Sequence, residues 1–431
     1  MVGHRFQTIG IYVLPPAERS PLYAFYKDCG YNYLEFCEGG FGYRPDRLPD
    51  YWGGLASAIA QAKRQGFTVW ILLLAGMKQW MGPEEYGNPG TFSALDAPLL
   101  DTRLEYIRQA VRALRQADGF QFFAGDPGGD PQGRSTVQDC IAFSRRVHAI
   151  VREEAPRAAF AINLWAIAEW AGFPSPFKLT FWKQQVALSR ALVDEPDLLG
   201  PDCGVLFSLD NYYRSLTLRC YEAGKEQPDL YPRPDDIAAL RSRRVTPVVG
   251  WPYFLVDECD DGFITPNNVA TKGQAGAETR YISRIIETGR TLALDGLIAN
   301  ASYPEAEALN IFTFGRMCRD ASLTPVRALE AFAAQLAEPA SVRDLLPVLQ
   351  FIENHSNWQA SLPVRARLRN FGLVQLPDSG AALEQLARVK PRSHPGITLP
   401  ESPERYLQRL RGRLEAIARG EIGGVNPHFG A

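Results

Sequence analysis

Eight short apolar runs, each followed by a longer stretch that can form a helix, constrain this chain more than any other feature. The runs occupy residues 8–14, 31–37, 67–74, 120–124, 158–164, 204–209, 246–250 and 296–299. They are rich in β-branched and aromatic residues, which suit a pleated, buried surface. Several end in turn-forming residues: Pro15-Pro16 after the first, Gly39-Gly40 after the second, Gly125-Asp126-Pro127 after the fourth. Segments 51–65, 104–117, 136–154, 235–243 and 277–288 lie between runs and carry apolar residues at helical spacing, as Ile107, Val111 and Leu114 show. Such stripes mark helices that bury one face against a core. Gly66 and Pro156 stand where two of these helices should stop.

Strands that alternate with helices pair in parallel, because each crossover helix returns the chain to the same end of the sheet. Eight repeats allow the sheet to close. The expected fold is therefore a (β/α)8 barrel over residues 1–338, completed by a helix at 325–337. A helical extension over 339–431 would pack on it, with helices at 342–355 and 403–419 and a proline-rich linker at 391–400. A chain of 431 residues fits a barrel of about 250 residues plus insertions and an appendage. An open doubly wound sheet is the alternative. It usually places a glycine-rich dinucleotide fingerprint after its first strand, where this chain reads Leu14-Pro15-Pro16.

With 46% apolar residues the chain can bury a large core, and its net charge of −2 supplies no field to attract nucleic acid or an anionic membrane. No apolar run reaches the roughly 18 residues of a membrane span, and residues 1–7 do not open a signal peptide. A soluble, cytoplasmic protein is expected. The seven cysteines are odd in number and form no CxxC pair, so free buried thiols in a reducing compartment are expected. No cofactor is implied, and the oligomeric state leaves no mark on the sequence.

A barrel of this kind carries its working residues at the carboxyl ends of its strands. That rule gathers Glu35 and Glu38 with Arg44 after the second run, and Trp80 in the long segment after the third. It gathers Asp126 and Asp130 after the fourth, Asn163 and Trp165 at the fifth, and Asp210, Asn211 and Tyr212 after the sixth. Trp251 and Tyr253 follow the seventh, and Asn300 and Tyr303 the eighth. All five histidines lie away from these positions, which argues against a histidine-built metal site or a Ser-His-Asp triad. Carboxylates beside aromatic faces and amides suit a sugar: rings cover its C–H face, and polar groups bind its hydroxyls. Cleaving a glycosidic bond takes two carboxyl groups, one protonated and one ionised.

The segment from Gly125 to Asp130, Gly-Asp-Pro-Gly-Gly-Asp, is the sharpest local signal. Asp126 should stand at the barrel mouth as general acid, unless this segment is only a turn that caps the next helix. Asp130, Glu35 or Asp210 would be the second carboxylate. Asn163, Asn211 and Asn300 would bind hydroxyls. Trp165, Tyr212, Trp251 and Tyr303 would form walls, with Trp80, Tyr253 and Arg44 as further contacts. Glu35 sits inside an apolar strand, so either a function or an inward Arg or Lys should account for it. Two other classes of function remain open. One is a barrel that binds carbohydrate without cleaving it. The other is a lyase or isomerase that uses a divalent cation held by Asp and Glu.

Residues 297–307 (LIANASYPEAE), leading into Ile311–Phe314, resemble the last strand and helix of barrel glycoside hydrolases of the O-GlcNAcase and bacterial hyaluronidase type. Residues 251–262 are similar to the seventh-strand region of that group, and α-glucuronidase-like barrels share the layout. The resemblance implies a sugar-binding role for Asn300 and an acid role for Asp126. In that group the fourth strand ends in two adjacent aspartates. Here Pro127 follows Asp126, and the next aspartate is Asp130.

Overall fold

A computed structural model describes residues 4–13, 20–40, 44–74, 97–123, 136–164, 187–188, 190–195, 199–200, 202–207, 209, 234–243, 245–251, 281–301, 304–305, 307–354 and 379–419. The strands are β1 (Thr8–Val13), β2 (Tyr33–Glu38), β3 (Thr68–Leu74), β4 (Gly119–Phe123), β5 (Ala159–Leu164), β6 (Cys203–Phe207), β7 (Val248–Gly250) and β8 (Gly296–Ala301). All neighbours pair in parallel, and β8 returns to β1, so the eight strands form one closed barrel. The expected (β/α)8 barrel is the observed fold. Each of the eight runs becomes a strand, with ends shifted by at most a few residues.

The helices are α1 (Ser20–Cys29), α2 (Leu48–Arg64), α3 (Ala97–Ala113), α4 (Val137–Glu154), α5 (Pro234–Ser242), α6 (Tyr281–Thr291), α7 (Ala308–Arg319), α8 (Pro325–Leu336), α9 (Val342–Asn354), α10 (Gly380–Leu386) and α11 (Pro403–Ala418). Local signals set their ends. Thr136 caps α4 in a capping box with Asp139, and Thr324 accepts a hydrogen bond from Arg327 N at the start of α8. Beyond α2, Gly66 takes φ +78°, a conformation that costs a glycine little.

Periodicity missed α1 and α7, for opposite reasons. The first turn of α1 has no acidic residue to mark a start. By contrast α7 is buried nearly all round, so it has no polar stripe to reveal its period. It, and not α8, is the helix that follows β8 directly. Phe312 of α7 packs on Phe332 of α8, whose ring meets Tyr406 of α11 edge-on at 5.6 Å. Thr398 N donates to Asp28 of α1, and Arg409 of α11 reaches the carbonyl of Glu305. The segment beyond residue 338 therefore lies against the barrel's first and last helices.

The amino-terminal rim is held by a repeated device. A polar residue just before an even-numbered strand accepts a hydrogen bond from the backbone of the preceding strand. Asn32 Oδ1 takes Ile9 N at 2.9 Å, Asp118 Oδ2 takes Val69 N at 2.9 Å, and Asp295 Oδ2 takes Val248 N at 2.7 Å. Lys63 and Arg241 pair with the two aspartates. Asp295→Ala leaves the Val248 N–H, at the start of the short β7, without its acceptor. We expect it to cost about 1–3 kcal/mol in urea unfolding. An unchanged midpoint would show that the rim bonds contribute nothing.

Side chains inside the barrel lie in layers contributed by alternate strands. The strands tilt, so moving two strands round the barrel raises the level residue by two positions. By this rule Glu35, Gln121, Leu206 and Ile298 share one level, and four such steps return to Glu35. Tyr12, Leu72, Asn163 and Trp251 form the next level towards the carboxyl end. Cys37, Phe123 and Asn300 belong to the one above it. Glycines make room below: a Cβ on Gly119 would lie 2.2 Å from the Trp70 indole, and one on Gly10 2.7 Å from the Tyr33 ring. Between strands and helices lies a second, larger apolar core that continues into α8–α11.

Candidate active site

The layers decide which strand residues can reach the mouth. Tyr12, Cys37 and Leu74 line the interior and are half-buried, whereas the levels beneath them are closed. Phe123, Asn163, Trp251 and Asn300 complete the floor from four further strands, each nearly or fully buried. Of the residues expected at the site, the fold thus brings Asn163, Trp251 and Asn300 to one end of the barrel, with Glu35 below them. Arg44 lies on the surface, where its Nε pairs with Asp46 Oδ1 at 3.1 Å. Asp126, Asp130, Asp210, Trp80, Trp165, Asn211, Tyr212, Tyr253 and Tyr303 lie outside the described residues.

Glu35 is fully enclosed at the centre of the barrel. Trp251 Nε1 donates to its Oε1 at 3.0 Å, and Tyr33 OH donates to its Oε2 at 3.4 Å. The Gln121 amide nitrogen stands near the same carboxyl without a well-aligned hydrogen bond. Gln121 Oε1 in turn accepts from Asn163 Nδ2 at 2.9 Å, so polar groups climb from Glu35 to the end of β5. Among the described residues no cation pairs with Glu35; of the two accounts the sequence allowed, the inward Arg or Lys is not found there, and the donors to the carboxyl are neutral. Loss of water raises its carboxyl to about 8, against a smaller opposing pull from Trp251, Tyr33 and Gln121.

That shift ties folding to pH. The folded chain keeps the proton up to about pH 8, whereas the unfolded chain loses it near 4.5. Stability from the neutral acid is full below 4.5 and declines as pH rises from there through about 8. Glu35→Gln has no proton to lose. Its melting temperature relative to wild type should climb by a few degrees between pH 5 and 8. A constant difference across that range would mean that Glu35 is already ionised in the folded chain.

Glu38, three residues on, points the other way. It is buried between β2 and the helices, where its Oε1 accepts from Trp52 Nε1 at 2.9 Å, from Tyr106 OH at 2.7 Å and from Gly40 N at 3.0 Å. Burial raises its carboxyl despite these donors. Tyr51 OH accepts from Gly39 N at 2.8 Å and donates to the Cys37 carbonyl at 3.3 Å. Together these bonds clamp the end of β2. Strand alternation thus separates the two acids: Glu35 faces the interior, and Glu38 faces α2 and α3.

Sequence reasoning missed Tyr12, Gln121 and Phe123 as inward residues. Alternation along β1 and β4 held the signal, but finding the inward face needs the register of neighbouring strands. None of the five described cysteines is in a disulfide, and Cys37 alone among them is half-buried and lines the mouth. Among the described residues no group of three or more His, Cys, Asp or Glu could hold a metal ion. Likewise, none of their helices is long and apolar enough to cross a membrane.

No family model matches the chain, and no curated protein matches it in sequence. Solved structures do match. CpGH84B is 9% identical with a TM-score of 0.54, over 96% of this chain and 67% of its own. A mutant O-GlcNAc hydrolase of Thermobaculum terrenum is 10% identical with a TM-score of 0.51, over 97% of this chain and 84% of its own. A GH138 enzyme targeting pectin rhamnogalacturonan II is 8% identical with a TM-score of 0.56, over 96% of this chain and 57% of its own. The chain is thus similar in fold to barrel glycoside hydrolases, the O-GlcNAcase type among them, and the likeness is one of fold.

Proposed function

We propose that this protein is a glycoside hydrolase whose sugar site lies at the carboxyl end of the barrel. The observation that carries this reading is the closed strand order. It makes the ends of β1, β4, β5, β7 and β8 neighbours, so that Tyr12, Phe123, Asn163, Trp251 and Asn300 meet in one floor of rings and amides. Asp126 follows the last residue of β4 by three positions, and Asp210 follows the last residue of β6 by the same number. In the closed barrel β4 and β6 are separated only by β5.

In this reading Asp126 is the general acid, and its proton goes to the leaving-group oxygen. A second carboxylate, Asp130 or Asp210, attacks the anomeric carbon or removes a proton from the attacking water. A spacing of about 5 Å between the two carboxyls gives retention, and roughly 6.5–9.5 Å gives inversion. Asn163 and Asn300 bind hydroxyls, and Trp165, Tyr212 and Tyr303 complete the walls.

A panel of chromogenic glycosides, uronides included, tests the reading. We expect release from at least one member, unaffected by EDTA. Binding of sugars without cleavage would favour a carbohydrate-binding barrel. Activity lost on chelation and restored by a divalent cation would favour the lyase or isomerase.

A further inference from the structure

Glu35 has the chemistry of a catalytic acid in the wrong place. It lies one level below the floor, and no part of it is exposed. Its best hydrogen bond goes to the Trp251 indole, which sits between Glu35 and the mouth. Trp251 is 2% exposed and braces two other rings: Tyr12 edge-on at 6.1 Å and Phe123 at 5.9 Å. Tyr12 is half-buried at the open end of the interior. A chain of contacts therefore runs from Glu35 through Trp251 to the rings on which a ligand would rest.

We infer that Glu35 is a positioning residue, whose carboxyl fixes the plane of the Trp251 indole and through it the aromatic floor of the pocket. An indole N–H buried without an acceptor is costly, so Trp251 keeps this orientation only while Glu35 offers an oxygen. Tyr33 holds the carboxyl from below, and the Gln121 amide stands beside it on the β4 side. Among the described residues, the titratable groups beside it are Tyr33 on its own strand and, as its register partner on β1, Tyr12. The β3 neighbour is the neutral Trp70. Either form of the acid can accept the bond, but a carboxylate accepts it more strongly. The indole N–H is therefore a reporter of the state of Glu35.

The first test needs no activity. In wild-type protein labelled with 15N at tryptophan, the Trp251 indole resonance is assigned by its loss in Trp251→Phe. It is expected to exchange slowly with solvent and to move as pH passes through about 8. In Glu35→Gln it stays protected and no longer moves. In Glu35→Met, which keeps the bulk and removes the acceptor, protection is lost.

The second test rests on the glycosidase reading. Using the glycoside that wild type cleaves, Glu35→Met should raise KM about tenfold, the effect of one lost hydrogen bond, with a smaller change in kcat. Glu35→Gln should restore most of that loss. A fast-exchanging Trp251 N–H that ignores both pH and Glu35→Gln would overturn the inference. So would a Glu35→Gln enzyme whose kcat falls more than about 100-fold at unchanged KM, because that is the mark of a reacting acid. If Glu35→Met does not fold, the titration of wild type and Glu35→Gln decides alone. If no glycoside is cleaved, the resonance still decides the role of Glu35, while the glycosidase reading falls separately.

Discussion

Asp126→Asn is expected to lower kcat on the cleaved glycoside by about 10²–10⁴-fold, with the melting temperature within a few degrees of wild type. The amide keeps the size and most hydrogen bonds of the acid but cannot give a proton to the leaving oxygen. The loss should therefore depend on the leaving group. An aryl glycoside whose phenol is strongly acidic needs little protonation and should lose far less than an alkyl glycoside or a natural sugar. Michaelis kinetics on both classes measure this directly. Equal losses on good and poor leaving groups would mean that Asp126 binds the sugar and does not protonate it. Full activity would remove it from the mechanism.

Deleting residues 339–431 is expected to abolish soluble, folded protein. Phe332, Leu329 and Leu336 of α8 and Phe312 of α7 are at most 2% exposed, in the core shared with Leu345, Val348, Leu410 and Leu414 beyond the cut. Uncovering such side chains forfeits about 1.5–3 kcal/mol each. Four of them amount to roughly the whole stability of a typical domain, about 5–15 kcal/mol. The tail is thus the cover of α8, which in turn packs on α7. Expression of 1–338 with circular dichroism and size-exclusion chromatography provides the check. A monomer that melts like the full chain would make the tail a separate unit.

Both results bear on how the chain is organised. A barrel can vary its loops freely while the strands hold the frame, because the loops lie outside the strand ladder. The frame of this protein is specified redundantly: eight parallel pairings, glycines under Trp70 and Tyr33, and polar clamps along the amino-terminal rim. The chemistry assigned to Asp126 needs only one correctly placed loop above it.

The eight strands, most of the helices, parallel pairing and barrel closure could be read from the sequence, because each follows from local periodicity and chain reversal. The likeness of the last strand to barrel glycoside hydrolases could be read as well, from a short contiguous segment. Facing and depth could not. Glu35 and Glu38 look alike in sequence, as acids in one apolar strand, yet one lies in the barrel axis and the other among α2 and α3. Tyr12 and Trp251 are 239 positions apart (251 − 12), and only the return of β8 to β1 makes their rings touch. Periodicity acts over a few residues of one segment. Burial, pKa and ring contacts depend on which distant segments share a layer, and only the closed register of all eight strands determines that.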